Sequence, residues 1–295
     1  MNFGANESYA VAAMSDAAYK ELDVNMVTVL GYWGHNPDAG ALAWRLGTWK
    51  QLGYMTMLHP VLYALPPSKR SDGGAQPWPE DNATVSSMSD YNKSMISIVD
   101  GVDPRIVVDV VNEPLNNPIS GGWKQYFDQW GKAMTGVARF NEYDVLTGVK
   151  TDALINGVKG NYAIQRIGLQ AHVFVHESKI PPFSFMSGQV RRIHDETGLP
   201  IDISECSVSS TEYNNDERAQ ADLYYRLACW AIDNPHIDSF SLWDMCDRQA
   251  WHKGSGILNA DGSPKMAFTA LQAAFAGRSW SPPPVRTYWW QRWFK

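Results

Sequence analysis

Short apolar runs alternate along the chain with stretches in which apolar residues recur at the spacing of one helical face. This alternation predicts strands separated by helices. We predict eight strands, at NFGAN, MVTVL, YMTML, RIVVDVV, YDVLTG, RIGLQAH, PIDISE and IDSFSLW. We predict helices at about residues 9–21, 38–52, 90–99, 123–140, 186–197, 217–232 and 266–275.

The order of these elements predicts the fold class. Parallel neighbouring strands need crossover connections, and helical stretches between β-rich runs supply them. Eight such units predict an α/β fold, a (β/α)8 TIM barrel in a single domain. A doubly wound sheet is the alternative, but no glycine-rich phosphate turn follows the first predicted strand and the sequence contains no GxxxxGK motif.

We predict that residues 1–279 form the catalytic barrel and that residues 280–295 form a separate end. SWSPPP is typical of a stiff, extended linker, and VRTYWWQRWFK is an aromatic, basic tail. Docking onto the barrel, contact with a partner and continuation of a longer parent chain all remain open for this tail. Four other tryptophans fall in helical patterns and are predicted to pack between helices and barrel: Trp44, Trp49, Trp130 and Trp230.

The composition of the chain limits the kinds of partner that it is expected to bind. A chain of 295 residues with 44% hydrophobic residues can bury the core of one barrel. A net charge of -6 argues against nucleic acid, because binding to phosphate backbones depends on Lys and Arg clusters. No apolar run is long enough to cross a membrane. The first residues, MNFGANES, lack the features of a signal peptide, and a chain from which a leader has been removed would look the same. We expect a monomer that binds neither nucleic acid nor membrane.

Two acidic residues close apolar runs at the end of a barrel where catalysis occurs. Glu113 closes VVDVVNE after the predicted fourth strand, and Glu205 closes PIDISE after the seventh. Barrel geometry places both at the carboxyl face, in one central cleft. Two facing carboxyl groups are what cleavage of a glycosidic bond needs. Taken singly, either acid is read equally well as a helix-start or loop carboxylate.

Cleavage needs one carboxyl group protonated and the other ionised, so the two groups must have different hydrogen-bonding environments that separate their pKa values. Asn112 lies beside Glu113, and GLQAH ends the sixth predicted strand with Gln170 and His172. His172 and His176 are also spaced like metal ligands. The first predicted strand offers no His-x-His to complete such a site, so we expect neither metal nor cofactor.

Several of these segments stand in the same order as signatures of glycoside hydrolase family 10. VVNEP, GLQAH, PIDISE and SLWDMCDRQAW carry the resemblance, LHPVLY resembles the family's histidine loop after strand three, and GILNADGSPKMAFTAL resembles its last strand-to-helix segment. The resemblance implies a retaining, endo-acting β-glycoside hydrolase on a xylan-like polysaccharide, and a secreted or extracellular protein. It also implies Glu113 as acid/base, Glu205 as nucleophile, and Asn112 as partner of the sugar 2-hydroxyl.

The same resemblance implies the remaining substrate-binding residues. It places Gln170 and His172 near the nucleophile, with His172 as the orienting donor. It places His59, Trp243 and Trp251 around the floor of the sugar site. The residue types agree independently, because aromatic faces stack on sugar rings while amides and imidazoles bind hydroxyls.

The sequence also departs from the family. After the second predicted strand it reads LGYWGHNP, which keeps an aromatic at Trp33 but lacks the family's Lys and Glu-Asn pair. Tyr63 stands where the family has Trp. These changes predict altered subsites on the non-reducing side of the cleft. A family 5-like cellulase or mannanase also fits the Asn-Glu-Pro triplet, and a non-catalytic carbohydrate-binding barrel is the alternative without activity.

Overall fold

The computed structural model describes residues 1–6, 12–31, 39–63, 95–103, 105–117, 122–172 and 180–281. Eight parallel strands form the barrel: β1 Asn2–Asn6, β2 Met26–Leu30, β3 Met55–His59, β4 Val107–Asn112, β5 Val137–Glu142, β6 Arg166–Gln170, β7 Ile201–Cys206 and β8 Ile237–Leu242. A further two-residue strand, Leu62–Tyr63, pairs beside the end of β4.

The sheet closes on itself. Each strand pairs in parallel with its neighbour in sequence, β3 joins β4 through Met57 opposite Val107, and β1 joins β8 through Phe3 opposite Phe240. A doubly wound sheet has two open edges, so the closed pairing confirms the predicted TIM barrel. The carboxyl ends of all eight strands therefore meet at one face.

Helices lie between the strands: α1 Ala12–Glu21, α2 Ala39–Gln51, α3 at residues 95–102, α4 Lys124–Tyr126, α5 Thr151–Val158, α6 Phe183–Thr197, α7 Glu217–Asp233 and α8 Met266–Phe275. The residues after α4 continue as a π-helical turn, Phe127–Gly131. In the described part of the chain, no helix is both long and apolar enough to span a bilayer.

Helix α7 shows how the sequence defines an element of the outer ring. The Asp216 side chain accepts hydrogen bonds from the backbone N–H groups of Arg218 and Ala219, which satisfies donors that have no partner within the helix. Leu223 and Leu227, spaced one turn apart, are buried. The cap sets where α7 begins, and the apolar face packs it onto the barrel.

The predicted elements were wrong around the fifth strand. We predicted a helix through Phe140 and a strand at residues 143–148, but β5 is Val137–Glu142 and the following residues form turns. Helix α5 was not predicted. Arg139, Asn141 and Glu142 interrupt the apolar pattern of β5, yet all three are buried because they bind polar partners inside the barrel and at its carboxyl end.

Three of the four helical tryptophans, Trp49, Trp130 and Trp230, are buried as predicted. Trp44 is 70% exposed, so the prediction that it packs against the barrel was wrong. The next two residues of α2, Arg45 and Leu46, are buried, so the face of α2 that packs inward excludes Trp44. Residues 282–295, which contain most of the predicted linker and tail, lie outside the described residues, and the division at residue 279 stays a prediction.

Candidate active site

Two strands depart from regular pairing close to their candidate acids. In β4 the register with β5 shifts between Asp109 and Val111, and in β7 the register with β8 shifts between Ile203 and Cys206. Side chains alternate across a regular strand, so such a shift re-aims the residues that follow. Asp109 and Asn112 consequently both reach the polar interior, although three positions separate them.

Glu113 follows β4 directly, in a backbone conformation that non-glycine residues rarely adopt. Its φ of 53° is left-handed, and its N–H donates to the carbonyl of Asn141 over 2.8 Å. On the side chain, Oε2 accepts a hydrogen bond from Asn117 Nδ2 at 2.8 Å. Uncommon backbone conformations of this kind persist where surrounding contacts enforce them, and they cluster at functional sites.

Glu205 is 3% exposed and lies within β7. Its Oε1 accepts from Asn141 Nδ2 at 2.6 Å and from Gln170 Nε2 at 3.1 Å, while Oε2 lies 2.8 Å from His172 Nε2. A buried carboxylate needs such donors, because an unpaired charge is costly away from water. These contacts hold Glu205 in one orientation.

Gln170 joins the two acids. Its Nε2 lies 3.0 Å from Glu113 Oε1 and 3.1 Å from Glu205 Oε1. Two oxygens that contact one nitrogen are at most about 6 Å apart, below the roughly 6.5–9.5 Å that separates carboxyl groups in inverting enzymes. Asn112 Oδ1 also lies near this amide, at 3.3 Å. The structure thus brings Glu113, Glu205, Asn112 and Gln170 together.

Gly168 in β6 allows this close arrangement. A Cβ atom there would lie 2.6 Å from Asn141 Oδ1 and 3.0 Å from Ser204 Oγ. Any side chain would displace Asn141, which donates to both Asn112 and Glu205. Glycine is therefore required for the approach of neighbouring strands beneath the two acids.

His59 and Asp109 lie beneath Glu205. His59 Nδ1 is 2.6 Å from Asp109 Oδ2 and 3.6 Å from Glu205 Oε1, and Arg139 donates to both oxygens of Asp109. Burial would raise the pKa of Asp109, but Arg139 and His59 outweigh burial and lower it to about 2. Burial would lower the pKa of His59, whereas the carboxylates of Glu205 and Asp109 raise it overall.

Glu205 is consequently held in its charged form. Burial alone would raise the pKa of its carboxyl group, yet the charge of His59 and the hydrogen bond from His172 bring that pKa below its ordinary value. A nucleophilic carboxyl group has to be ionised, so this environment suits covalent attack.

The rings of two tryptophans, Trp243 and Trp251, contact the His172 ring edge to face. The His172 ring centroid lies 5.8 Å from that of Trp243 and 5.1 Å from that of Trp251. Trp243 also lies 4.9 Å from the His59 ring. Trp251 is 58% exposed, so an aromatic surface faces solvent beside the acids. Such a surface can stack on a sugar ring.

Comparison with known proteins identifies the family of this chain. The model of glycosyl hydrolase family 10 matches residues 77–274, more than half of the chain. The chain belongs to glycosyl hydrolase family 10. This match decides between the two families that the Asn-Glu-Pro triplet left open, against the family 5 alternative.

One curated relative of this family 10 chain is endo-1,4-beta-xylanase B of Cellvibrio japonicus (strain Ueda107). The two are 26% identical over an alignment of 177 residues that covers 56% of this chain. The chain spans only 28% of the length of that relative.

Solved structures of similar fold are named as xylanases. Native xylanase 10B from Thermotoga maritima superposes with a TM-score of 0.70 at 18% identity, covering 94% of both chains. A glycosylated endo-beta-1,4-xylanase from Gloeophyllum trabeum gives 0.71 at 17% identity, covering 93% of this chain and 96% of that one. The Clostridium thermocellum xylanase 10B modules complexed with xylohexaose give 0.70 at 15% identity, covering 92% and 65%. At these identities the likeness concerns the fold.

For two predicted binding residues of the family 10 chain, the structure describes no side chain, and their roles stay predictions. Trp33 lies outside the described residues. The backbone of Tyr63 pairs opposite Asn112, which places this residue beside the acids, but only its backbone is described. His176, the second predicted metal ligand, also lies outside the described residues. Among the residues that are described, no group of three or more His, Cys, Asp or Glu could hold a metal ion.

The sequence analysis missed three residues of the site, Arg139, Asn141 and Glu142. All three belong to β5, where we had predicted the end of a helix and the residues before a strand. One signal was present: RFNE at the end of β5 repeats the Asn-Glu order of VVNE at the end of β4. In register, Asn141 lies opposite Asn112.

Proposed function

We propose that this chain is a retaining, endo-acting β-glycoside hydrolase of a β-1,4-xylan-like polysaccharide, with Glu113 as acid/base and Glu205 as nucleophile. The observation that carries the proposal is the single amide of Gln170, which contacts one oxygen of each acid. Such closeness suits direct attack by one carboxylate, because an inverting pair must leave room for a water.

The two environments favour this division of roles. Glu205 is buried among donors that stabilise its charge, as a nucleophile requires. Glu113 is only half-buried and sits on a loop, where it can exchange protons with solvent and with a leaving oxygen. A protonated Glu113 beside an ionised Glu205 is the starting state of a retaining hydrolase.

The reaction then has two balanced steps. Glu205 attacks the anomeric carbon and forms a glycosyl ester, while the bond to the leaving oxygen breaks and Glu113 supplies its proton. In the second step Glu113 takes a proton from water, the resulting hydroxide attacks the same carbon, and Glu205 leaves as carboxylate. Asn112, fixed by Asn141, is the proposed partner of the sugar 2-hydroxyl.

A xylan-like substrate follows from the names of the relatives, one of them bound to xylohexaose. The proposed binding surface consists of Trp243, Trp251, His59 and His172, together with Trp33 and Tyr63 on the non-reducing side. The altered second-strand loop predicts a product pattern that differs from that of a typical xylanase. Extracellular action on polysaccharide, without cofactor, belongs to the same proposal.

The test is a screen of xylan, glucan, mannan and aryl β-glycosides, with product lengths read by chromatography. We expect xylan to be cut into mixed oligosaccharides, which shows internal cleavage, and E205Q to be inactive at matched protein quality. Binding of oligosaccharides without turnover of any substrate would favour the non-catalytic barrel. Turnover of mannan or glucan alone would remove the xylan assignment.

The assignment of Glu113 has its own test. In E113Q, hydrolysis of glycosides with poor leaving groups should fall by roughly 100-fold or more, because general acid catalysis is lost. Formation of the glycosyl-enzyme from a dinitrophenyl glycoside needs no acid and should persist. Equal loss on both substrates would contradict the acid/base role.

A further inference from the structure

Glu142 is a third carboxyl group next to the two candidate acids. It is the last residue of β5, it is 0% exposed, and it contacts neither Glu205 nor Gln170 by any hydrogen bond seen in the structure. Nothing in the proposed mechanism so far uses it. A buried carboxyl group beside a catalytic loop requires an explanation, because burial of this group is costly.

The hydrogen bonds of Glu142 all reach the loop that carries Glu113, or its own neighbour. Oε2 accepts from the backbone N–H of Leu115 at 2.7 Å. Oε1 accepts from Asn116 Nδ2 at 2.7 Å and from the N–H of Tyr143 at 3.0 Å. Both oxygens of Glu142 therefore accept hydrogen bonds, and one side chain satisfies three donors.

These contacts fix the conformation of Glu113. Leu115 and Asn116 follow Glu113 by two and three residues, and the N–H of Asn116 donates back to the Glu113 carbonyl at 3.1 Å. The left-handed φ of Glu113 needs such restraint, because an unrestrained loop would relax toward commoner conformations. Glu142 is the side chain on β5 that restrains this turn.

The charge of Glu142 acts on Glu113 as well. Burial raises the pKa of Glu142 to about 7, and repulsion by Glu113 adds to the rise, while the three hydrogen bonds oppose it. Repulsion is reciprocal, so the pair holds its last proton to a higher pH than one carboxyl group alone would. The other ionisable groups facing this corner are Tyr143, Asp144 and Lys150, whose Nζ lies 3.5 Å from the Leu115 carbonyl.

We propose that Glu142 is the positioning residue of the acid/base: its hydrogen bonds clamp the turn that carries Glu113, and it shares with Glu113 the last proton that this pair of carboxyl groups releases. The inference rests on the proposed function, since it needs Glu113 to act as an acid. It assigns to Glu142 a role that neither the binding of sugar nor the attack of Glu205 requires.

The test compares wild type with E142Q on two xylosides, one with a dinitrophenyl leaving group and one with an unactivated sugar. We expect kcat/KM for the unactivated substrate to fall by roughly tenfold or more, and that for the dinitrophenyl substrate to change little, because kcat/KM reports the first step, in which only the unactivated leaving group needs a placed acid. We expect the alkaline limb of the kcat/KM profile to move to lower pH by roughly half a unit to one unit.

Three further variants separate positioning from general damage. N116A removes one contact to Glu142 but keeps its carboxyl group, so it should lower kcat/KM for the unactivated substrate without moving the alkaline limb to lower pH. E142D keeps the charge on a shorter side chain and should restore the limb. D244N removes another buried carboxyl group from the same end of the barrel and should show no dependence on the leaving group.

The outcomes are distinct. Equal losses of E142Q on both substrates, or an unchanged alkaline limb, would overturn the inference and leave a structural role. If E142Q does not fold, as judged by thermal unfolding, the comparison of E142D with N116A carries the same test. A wild-type enzyme that cleaves neither substrate would instead refute the proposed function, and the Glu142 variants would then not be needed to decide it.

Discussion

The side-chain amide of Asn141 donates to Oε1 of Glu205 over 2.6 Å. The same nitrogen lies 2.7 Å from Asn112 Oδ1, so one amide orients the candidate nucleophile and the candidate sugar-binding residue together. Asn141 is fully buried, and its own oxygen accepts a hydrogen bond from Ser204. The position of Asn141 in β5 therefore fixes the orientation of both Glu205 and Asn112.

Replacing Asn141 should impair both steps of the reaction. In N141A, we expect kcat to fall by roughly 10- to 100-fold on activated and unactivated substrates alike, because a donor that orients the nucleophile is lost. N141D should be worse, since a second carboxyl group would face Glu205. Steady-state kinetics on both substrate types checks this. A loss confined to unactivated substrates would contradict it.

The buried pair of Asp109 and Arg139 should dominate the stability of the barrel interior. D109N should lower the free energy of unfolding by about 3–5 kcal/mol, because it leaves the buried guanidinium group of Arg139 with only its longer contact of 3.4 Å to Asp202. The matched control is D103N, which breaks a pair with the exposed Arg105 and should cost far less. Denaturant titration measures both, and equal effects would contradict the argument.

The same comparison has a pH dependence. Asp109 and Asp103 both have a pKa of about 2, lowered from the ordinary 3.8. A lowered carboxyl pKa adds stability that is present above the unfolded value and is lost as pH falls through the folded one. We therefore expect the stability gap between wild type and D109N to narrow from about pH 4 toward pH 2.

His59 should set the acidic limb of the activity profile. The pKa of Glu205 is low partly because of the charge on His59, so H59Q should raise that pKa. Glu205 must be ionised to attack, and the acidic limb of kcat/KM should then move to higher pH. H236Q, at the opposite end of the barrel, is the control and should leave the limb in place. If the acidic limb of H59Q did not move, His59 would not be a group that keeps Glu205 ionised.

Much of this arrangement could be predicted from the sequence because the strands that carry the acids are mostly apolar and each is closed by its candidate acid. VVDVVNE and PIDISE show their strand character and their terminal carboxyl groups in the same few letters. The closing of the barrel then brings Glu113 and Glu205 to one face. The register shifts and the buried ion pair of Asp109 and Arg139 do not alter the expectation that both acids lie at this face.

The rest of the site was hidden because β5 does not look like a strand. Arg139, Asn141 and Glu142 are polar, and only long-range partners explain their burial: Asp109, 30 positions before Arg139, and Glu205, 64 positions after Asn141. The register shifts in β4 and β7 were equally invisible, since a bulge leaves no fixed sequence pattern. Local pattern carries no information about such partners.

The exposed ring of Trp251 should contribute to substrate binding. In W251A, we expect KM for xylo-oligosaccharides to rise by roughly three- to tenfold with a smaller change in kcat, because stacking on an aromatic face is worth about 0.5–1.5 kcal/mol. W44A is the matched control, since Trp44 is also well exposed but lies on the outer helix α2. If W44A raised KM as much as W251A, stacking at the cleft would not be the cause.

Hydrolysis should proceed with retention of anomeric configuration. Gln170 contacts an oxygen of both Glu113 and Glu205, which leaves these two oxygens at most about 6 Å apart, below the roughly 6.5–9.5 Å between the carboxyl groups of inverting enzymes. We therefore expect Glu205 to attack directly and a second displacement at the same carbon to restore the β-configuration. Proton NMR of the fresh product decides the matter. An initial β-anomer from a β-xyloside is expected, whereas an initial α-anomer would show inversion and remove Glu205 from the role of nucleophile.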